Sequence, residues 1–139
     1  MLFRSPTQLG AISVRTAGSK ALATITQPTD ITGRMLGEAL SVAVHGPSGV
    51  FGVTHPGGNM VTFWTLKDAR FVKMLEFPRA RGISLNARGD RFVLSYGPRT
   101  NAVQITAAGL APFADTQLTD TFLGGSHILN WTRARAGLA

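Results

Sequence analysis

Three histidines, His45, His55 and His127, are the residues whose imidazoles could bind a metal ion or transfer a proton. His45 and His55 are predicted at the ends of neighbouring strands, where two rings could form half of a metal site. No HxH or HExxH pattern is present, and the nearest acids, Glu38 and Asp68, have no fixed geometric relation to the pair. We therefore predict no metal site and no cofactor, and keep the three histidines as weak candidate ligands.

Signatures of other reactions are missing from the sequence. Serine, histidine and aspartate all occur, but no GxSxG turn presents a nucleophile, and the chain has no cysteine. Neither GxGxxG nor GxxxxGK(S/T), the loops that hold phosphate groups, is present. An enzyme is therefore the less favoured class, and a binding protein is the more favoured one.

Two turns carry the residues best placed to bind a partner. In VFGVTHPGGNMVTFW, residues 50–64, a Pro-Gly-Gly-Asn turn follows His55 between two alternating apolar runs. A similar turn is predicted between Tyr96 and Asn101. Rigid strands hold such turns in place while leaving them accessible, so we predict an exposed binding surface there. Its candidate residues are His55, Gly57, Asn59, Tyr96, Arg99 and Asn101.

The elements that must position these turns are predicted to be short strands. Sixteen glycines and seven prolines in 139 residues imply frequent reversals, while 44% hydrophobic and 15% charged residues imply a packed core. Residues 9–25 alternate as in a β-hairpin, and residues 28–39 are typical of a connection with one helical turn near Met35. Further strands are predicted at 40–46, 49–55, 59–66, 69–77, 81–87, 90–97 and 101–107.

An internal repeat relates these strands. When Gly49 is placed over Gly89, the two halves align at a period of about 40 residues, and Asn59 falls on Asn101. That period is typical of one four-stranded blade of a β-propeller. The predicted fold class is therefore all-β, with antiparallel four-stranded blades of a partial β-propeller. A β-sandwich of seven or eight strands is the alternative.

The predicted domain organisation is a single all-β domain over residues 1–139, a partial propeller of about three blades. Blade-like repeats are placed near 40–77 and 81–120. A C-terminal strand is predicted near 127–131, because a late strand often completes the first blade of a closed ring. Since a partial ring leaves open sheet edges, we expect self-association or a protein partner that completes or covers the propeller.

The charge of the chain is strongly basic, with a net +7 from 14 lysines and arginines and seven acids. The basic residues are scattered, apart from pairs at Arg79 and Arg81 and at Arg133 and Arg135. This distribution favours a solvated surface over nucleic-acid binding. Aromatic side chains interleaved with arginines could stack on single-stranded bases, but packing between blades is the favoured use.

No targeting or membrane segment is predicted. No apolar run approaches the roughly 20 residues that span a bilayer, so no membrane span is expected. The N-terminal MLFRSPTQLGAISV lacks the continuous apolar stretch of a secretory signal peptide. A chain without cysteines fits any redox compartment, so the localisation stays undetermined on these grounds.

Three stretches resemble a known bacterial family. LSVAVHGPSGVFGVTHPGGNMVTFW, RGISLNARGDRFVLSYG and GGSHILNW, within residues 36–131, are similar to the C-terminal part of the family catalogued as domain of unknown function 1513. The resemblance implies a WD40-like or quinoprotein-like β-propeller, usually exported to the periplasm and often encoded beside iron-uptake and haem-peroxidase-like proteins. Family members are longer and normally start with an export signal. We therefore expect either a C-terminal half or a short relative that completes its ring by association.

The sequence thus favours a non-enzymatic β-propeller scaffold for protein or ligand binding, which the resemblance associates with a bacterial envelope iron-uptake system. The resemblance implies no established reaction. Two alternatives stay open. One is a metal-binding or enzymatic propeller that uses His45, His55 or His127, and the other is a basic nucleic-acid-binding protein.

Overall fold

The regular secondary structure in the described part of the chain is almost entirely β-strand. The computed structural model describes residues 8–15, 18–99, 101–120 and 127–129. Within them, the one helix, α1, is Thr29–Thr32. The strands are β1 Ser13–Val14, β2 Ala23–Thr24, β3 Val42–His45, β4 Val50–His55, β5 Met60–Thr65, β6 Phe71–Glu76, β7 Ile83–Leu85, β8 Arg91–Tyr96, β9 Asn101–Thr106 and β10 Pro112–Leu118. The prediction of an all-β fold is confirmed.

The helix begins earlier in its connection than the predicted turn near Met35. Pro28 directly precedes the helical residues Thr29–Thr32, and the helix ends at Gly33. Pro28 is the N-cap residue, and its extended backbone (φ −72°, ψ 147°) marks where the preceding segment ends and the helix begins. Met35 lies beyond the helix and is buried in the core.

The described strands form three antiparallel sheets of consecutive strands. The N-terminal sheet is β1–β2, the central sheet is β3–β4–β5–β6, and the C-terminal sheet is β7–β8–β9–β10. In both four-stranded sheets each strand pairs with the next one along the chain, so every connection is a hairpin. None of the three sheets closes on itself.

The central and C-terminal sheets repeat the same register. Val42 pairs with Val53 in the central sheet, and Ile83 pairs with Leu94 in the C-terminal sheet, 41 positions later. This spacing agrees with the predicted period of about 40 residues. The two sheets are therefore related strand by strand along the chain.

One detail of the predicted overlay is wrong. His55 pairs with Met60, and Tyr96 pairs with Asn101. Asn101 is therefore equivalent to Met60, and Asn59 lies one position earlier in the repeat. The two sheets share one offset of 41 residues throughout these strands, so Gly49 is likewise equivalent to Asp90 and not to Gly89.

The two middle strands of the central sheet, β4 and β5, are buried on both faces. The inter-sheet core, between the central and C-terminal sheets, includes Val50, Val61, Phe63, Ile83, Phe92, Leu94, Val103 and Ile105. The N-terminal core, on the opposite face of the central sheet, includes Ile12, Ile31, Met35, Phe51, Val53, Met60 and Trp64. Successive residues of a strand point to opposite faces. With both faces covered, all six residues of β4 are buried.

Hydrogen bonds join the central and C-terminal sheets at their first strands. β3 lies beside β7. The Ile83 N–H donates to Ser41 Oγ at 3.2 Å, and the Thr54 hydroxyl donates to the Arg81 carbonyl. These polar contacts add directional bonds to the apolar packing and fix how the two sheets meet.

The predicted C-terminal strand near 127–131 is not found where the chain is described. Residues 127–129 form no strand, and residues 130 and 131 lie outside the described part. Ile128 packs against Gly82, just before β7. In the described ranges, no helix is long and apolar enough to cross a membrane.

Candidate binding loops

The connections at one end of the sheets form a continuous surface, here called the loop face. The Gly97 N–H donates to the Pro78 carbonyl at 2.7 Å, which joins two of these connections. Of the predicted binding residues, Gly57, Asn59 and Arg99 lie on this face and are exposed. The loop face comprises residues 34–36, 56–59, 77–82, 97–99 and 120.

His55 is not part of the exposed surface. It is the last residue of β4, and its side chain is only 1% exposed. Alternation along the strand places His55 on the same face as Phe51 and Val53, which belong to the N-terminal core. The prediction that His55 lies on an exposed loop is wrong, because the N-terminal segment covers that end of the strand.

Hydrogen bonds link the His55 ring to Thr62 and Trp64. The Trp64 Nε1–H donates to Thr62 Oγ1 at 2.8 Å, and Thr62 Oγ1 lies 2.9 Å from His55 Nε2. The other ring nitrogen, Nδ1, is buried and has no hydrogen-bond partner among the described residues.

Burial also decides the charge of this ring. Desolvation of the charged imidazolium lowers the pKa of His55 from 6.5 to about 4. His55 is therefore neutral near pH 7. Its neighbours Thr62 and Trp64 could have been found from the sequence, since positions 55, 62 and 64 share one face of the β4–β5 hairpin.

The turn after His55 is covered on its inner side by the N-terminal segment. A Cβ atom at Gly57 would overlap the Leu36 carbonyl oxygen, and one at Gly58 would overlap the Arg34 carbonyl oxygen. Only glycine allows the two backbones to come this close. Both glycines therefore hold this turn against residues 34–36, although the other side of Gly57 is exposed.

Asn59 and Asn101 each use the side-chain carbonyl to hold the loop that follows the last strand of a sheet. Asn59 Oδ1 accepts from the Arg79 N–H at 2.9 Å. Asn101 Oδ1 accepts from the Asp120 N–H at 3.2 Å. Arg79 and Asp120 both have positive φ, 49° and 50°, a conformation that few side chains adopt without support. The two asparagines thus stabilise similar loops in successive sheets.

Tyr96 and Arg99 differ in accessibility. Tyr96 is 8% exposed, its hydroxyl accepts from Gln117 Nε2 at 2.7 Å, and its ring packs 4.9 Å from that of Phe77. Tyr96 is therefore a core residue, and the prediction that it lies on an exposed surface is wrong. Arg99 is 71% exposed and forms an ion pair with Asp120 at 3.8 Å. Of the two side chains, that of Arg99 is offered to solvent.

The strand-end histidines do not form a metal-binding pair. His45 pairs with Val50 at one end of β4, whereas His55 ends the same strand, so about 17 Å of strand separates them. His45 Nδ1 accepts from the Ser48 N–H at 3.1 Å and lies 2.6 Å from Ser48 Oγ. His127 is exposed. No group of three or more potential metal ligands occurs among the residues whose structure is described.

Arginines give the loop face its chemical character. Arg34 is paired with Glu76 at 3.0 Å. Arg79 and Arg81 are exposed, and neither forms an ion pair with any described residue. The sequence predicted Arg99 at the binding surface but not Arg79, because Arg79 is positioned by a bond from its own N–H to Asn59 Oδ1, 20 residues away.

No match was found when the chain was compared with protein-family models, curated proteins and solved structures. The chemistry of the loop face therefore rests on its own geometry. Guanidinium groups present several N–H donors in a planar fork, which suits carboxylates and other planar anions. Held on a fixed backbone, they favour recognition of an anionic surface.

Proposed function

We propose that the chain is a partial β-propeller in which the central and C-terminal sheets are complete blades and the N-terminal sheet is an incomplete one. Both four-stranded sheets consist of consecutive hairpins in the same register, which supports this architecture. Their first strands, β3 and β7, lie side by side, as first strands do around a propeller axis. The Greek-key sandwich would instead need connections that cross between sheets.

The function proposed for this scaffold is non-enzymatic binding of a protein partner at the loop face. The observation that carries the proposal is the positioning of Arg79, whose backbone is bonded to Asn59 while its side chain is exposed. A group held in place before association loses little conformational entropy on binding. Rigid strands that carry fixed loops are a common basis for recognition.

The charges of the loop face favour an acidic partner. Arg79 and Arg81 are exposed without an ion pair to a described residue, and the Arg99 pair is long and exposed. Exposed ion pairs contribute little, so a partner carboxylate can compete for Arg99. An acidic protein segment is therefore the expected ligand, in agreement with the net charge of +7.

The resemblance to the family of domain of unknown function 1513 adds a biological context to the proposal. In that context the partner belongs to a bacterial envelope iron-uptake system, and the chain acts in the periplasm. This part of the proposal depends on the resemblance alone. The arginines and the held loops support only the binding function.

Affinity purification with charge-reversed variants tests the binding function. Arg79→Glu alters the loop face, and Arg88→Glu alters an exposed arginine in the β7–β8 turn at the opposite end. We expect a partner that binds the unaltered chain and Arg88→Glu, and that binds Arg79→Glu about tenfold more weakly or worse. Equal retention by all three proteins, or equal loss with both variants, contradicts recognition at the loop face.

A further inference from the structure

Two valines on the first strand of the central sheet are exposed. Val42 is 61% exposed and Val44 is 50% exposed, although their strand is paired with β4. Val42 pairs with Val53, and Val44 pairs with Phe51, so both valines point toward the side of the N-terminal core. Phe51 and Val53 are themselves buried. An apolar strip, formed by Val42 and Val44, is therefore bare.

The internal repeat shows what covers such a strip. Ile83 and Leu85 of β7 are the residues equivalent to Val42 and Val44. Ile83 is 1% exposed, and Leu85 is partly buried against the inter-sheet core. Their cover is the start of the preceding sheet, because β3 lies beside β7 and Ala43 belongs to the same core. By this comparison, the apolar strip is expected to be covered by the first strand of a preceding blade, as β3 covers Ile83 and Leu85.

The N-terminal sheet does not supply that strand. It consists of β1 and β2, so one edge of β1 has no partner strand within the described ranges. A cleft of about 1060 Å³ lies between this sheet and the central sheet, and its walls include Val14, Val42, Val44, Phe51 and Val53. An apolar floor beside an unpaired strand edge is what an added β-strand requires.

A segment suited to this cleft lies on the far side of the C-terminal sheet. A Cβ atom on Gly82 would lie 2.8 Å from Ile128 Cγ1 and 3.1 Å from Ser95 Oγ. Ser95 alternates with Leu94 of the inter-sheet core, so it points away from the central sheet, and Ile128 packs on that outer side. Leu129 is 70% exposed. The segment thus begins a layer beyond the C-terminal sheet.

We propose that two copies of the chain associate head to tail, with the Ile128–Leu129 segment of one copy filling the cleft beside β1 and the apolar strip of the other. This inference rests on the proposed propeller architecture. The cleft and the segment are complementary. The copy with the cleft supplies β1 and β2 as the outer strands of a blade, and the other copy supplies the Ile128–Leu129 segment as its first strand. The contact joins different surfaces, so it either closes into a ring or continues as an open chain.

A closure within one chain is the competing arrangement. Ile128 and Leu129 also border a groove of about 610 Å³ that reaches Val42 and Val44. The strip, however, points to one side of the central sheet, while the segment packs on the opposite side of the C-terminal sheet. Within one chain the segment reaches the groove without covering the strip, since Val42 and Val44 stay 61% and 50% exposed, whereas the segment of a second copy can enter the cleft itself.

Engineered cysteines separate these arrangements, because the chain has no cysteine of its own. Under mild oxidation, an equimolar mixture of Val44→Cys and Leu129→Cys is expected to give a mixed disulfide-linked dimer. Val72→Cys, at an exposed position on β6, is the matched control and should give several-fold less product with Leu129→Cys. Equal yields with Val44→Cys and Val72→Cys overturn the proposal. So does an intramolecular disulfide in the doubly substituted chain.

The mass in solution gives a second, independent readout. Light scattering should show an assembly for the unaltered chain and for Val72→Glu, and a monomer for Val44→Glu whose circular dichroism is unchanged. A stable monomer of the unaltered chain at high concentration overturns the proposal. Arg79→Glu should leave the mass unchanged, so a failure of binding at the loop face and a failure of self-association are distinguishable results.

Discussion

Thr54 and Ser95 occupy equivalent positions, 41 residues apart, and bond to equivalent backbone groups. Thr54 Oγ1 accepts from the Ser41 N–H at 3.1 Å, and Ser95 Oγ accepts from the Gly82 N–H at 2.9 Å. Each hydroxyl therefore pins the segment that enters the first strand of its sheet. Thr54 also donates to the Arg81 carbonyl of the next connection, so this one side chain links the central sheet to the C-terminal sheet.

Replacing Thr54 by valine keeps the shape of the side chain and removes the hydroxyl. The Ser41 N–H and the Arg81 carbonyl then lose this partner in a partly buried region, so we expect the free energy of unfolding to fall by about 1–3 kcal/mol. Chemical denaturation measures the change. Thr54→Ser keeps the hydroxyl and is the matched control, and a loss as large as that of Thr54→Val would show that packing of the methyl group dominates.

Gly52 lies where the central sheet packs against Ile83 of the C-terminal sheet. A Cβ atom there would lie 2.8 Å from Phe63 Cε1 and 2.9 Å from Ile83 Cδ1, two side chains of the inter-sheet core. Gly52→Ala is expected to lower the free energy of unfolding by about 1–3 kcal/mol through overpacking. Gly46→Ala is the control, because a Cβ at Gly46 meets no atom within 4 Å. Similar melting temperatures for the two variants would contradict the tight packing.

Asn59 has two separable roles in the turn that follows β4. Its φ of 53° is disfavoured for most residues, and its Oδ1 bonds the Arg79 N–H. Asn59→Ala loses both advantages and should cost about 1–2 kcal/mol of stability, whereas Asn59→Gly keeps the backbone freedom and should cost less. Thermal unfolding distinguishes them. An equal loss in both variants would assign the whole effect to the hydrogen bond.

The buried His55 makes stability depend on pH. Its pKa falls from 6.5 to about 4 in the folded state because burial disfavours the charged ring. The unfolded chain therefore binds more protons than the folded chain between these values, so stability is fully present above pH 6.5 and declines as the pH falls toward 4. The loss from this group is expected to approach about 3 kcal/mol.

Denaturation at several pH values, together with an NMR titration of the ring, checks this expectation. His55→Phe removes the titrating group and should flatten the profile between pH 6.5 and 4. The pKa of Asp68 is lowered chiefly by its bond from Thr65, and that of Asp90 by its bond from Asn86. The contribution of these two carboxylates to folding stability is therefore lost at lower pH than the contribution of His55. A His55 ring that titrates near 6.5 would contradict its burial as a neutral group.

The strands were predictable because their signals are local. Alternation of apolar residues, with glycine and proline between the runs, locates β4, β5, β8 and β9 to within a residue or two. The helix starts at Thr29, directly after Pro28, whereas the helical turn was predicted near Met35. The last strand of the C-terminal sheet, β10, was not predicted as a separate strand. Its residues are mostly exposed and pair irregularly with β9, so its sequence alternates only weakly between apolar and polar residues.

The binding surface was only partly predictable, because exposure depends on distant parts of the chain. Gly57, Asn59 and Arg99 lie on the loop face as expected. His55 and Tyr96 end their strands beside the same turns, yet other segments cover them. Turn chemistry shows where a loop forms, but it does not show which residues far along the chain pack over its base.

The contiguity of each four-stranded sheet has a consequence for how the molecule folds. Residues 42–76 contain the whole central sheet, and residues 83–118 contain the whole C-terminal sheet. Every pairing inside a sheet closes a short loop, so its entropic cost is small, and each sheet can nucleate without the other. Docking through the inter-sheet core, with the Thr54 bond to Arg81, then becomes the step that joins two separately formed folding units.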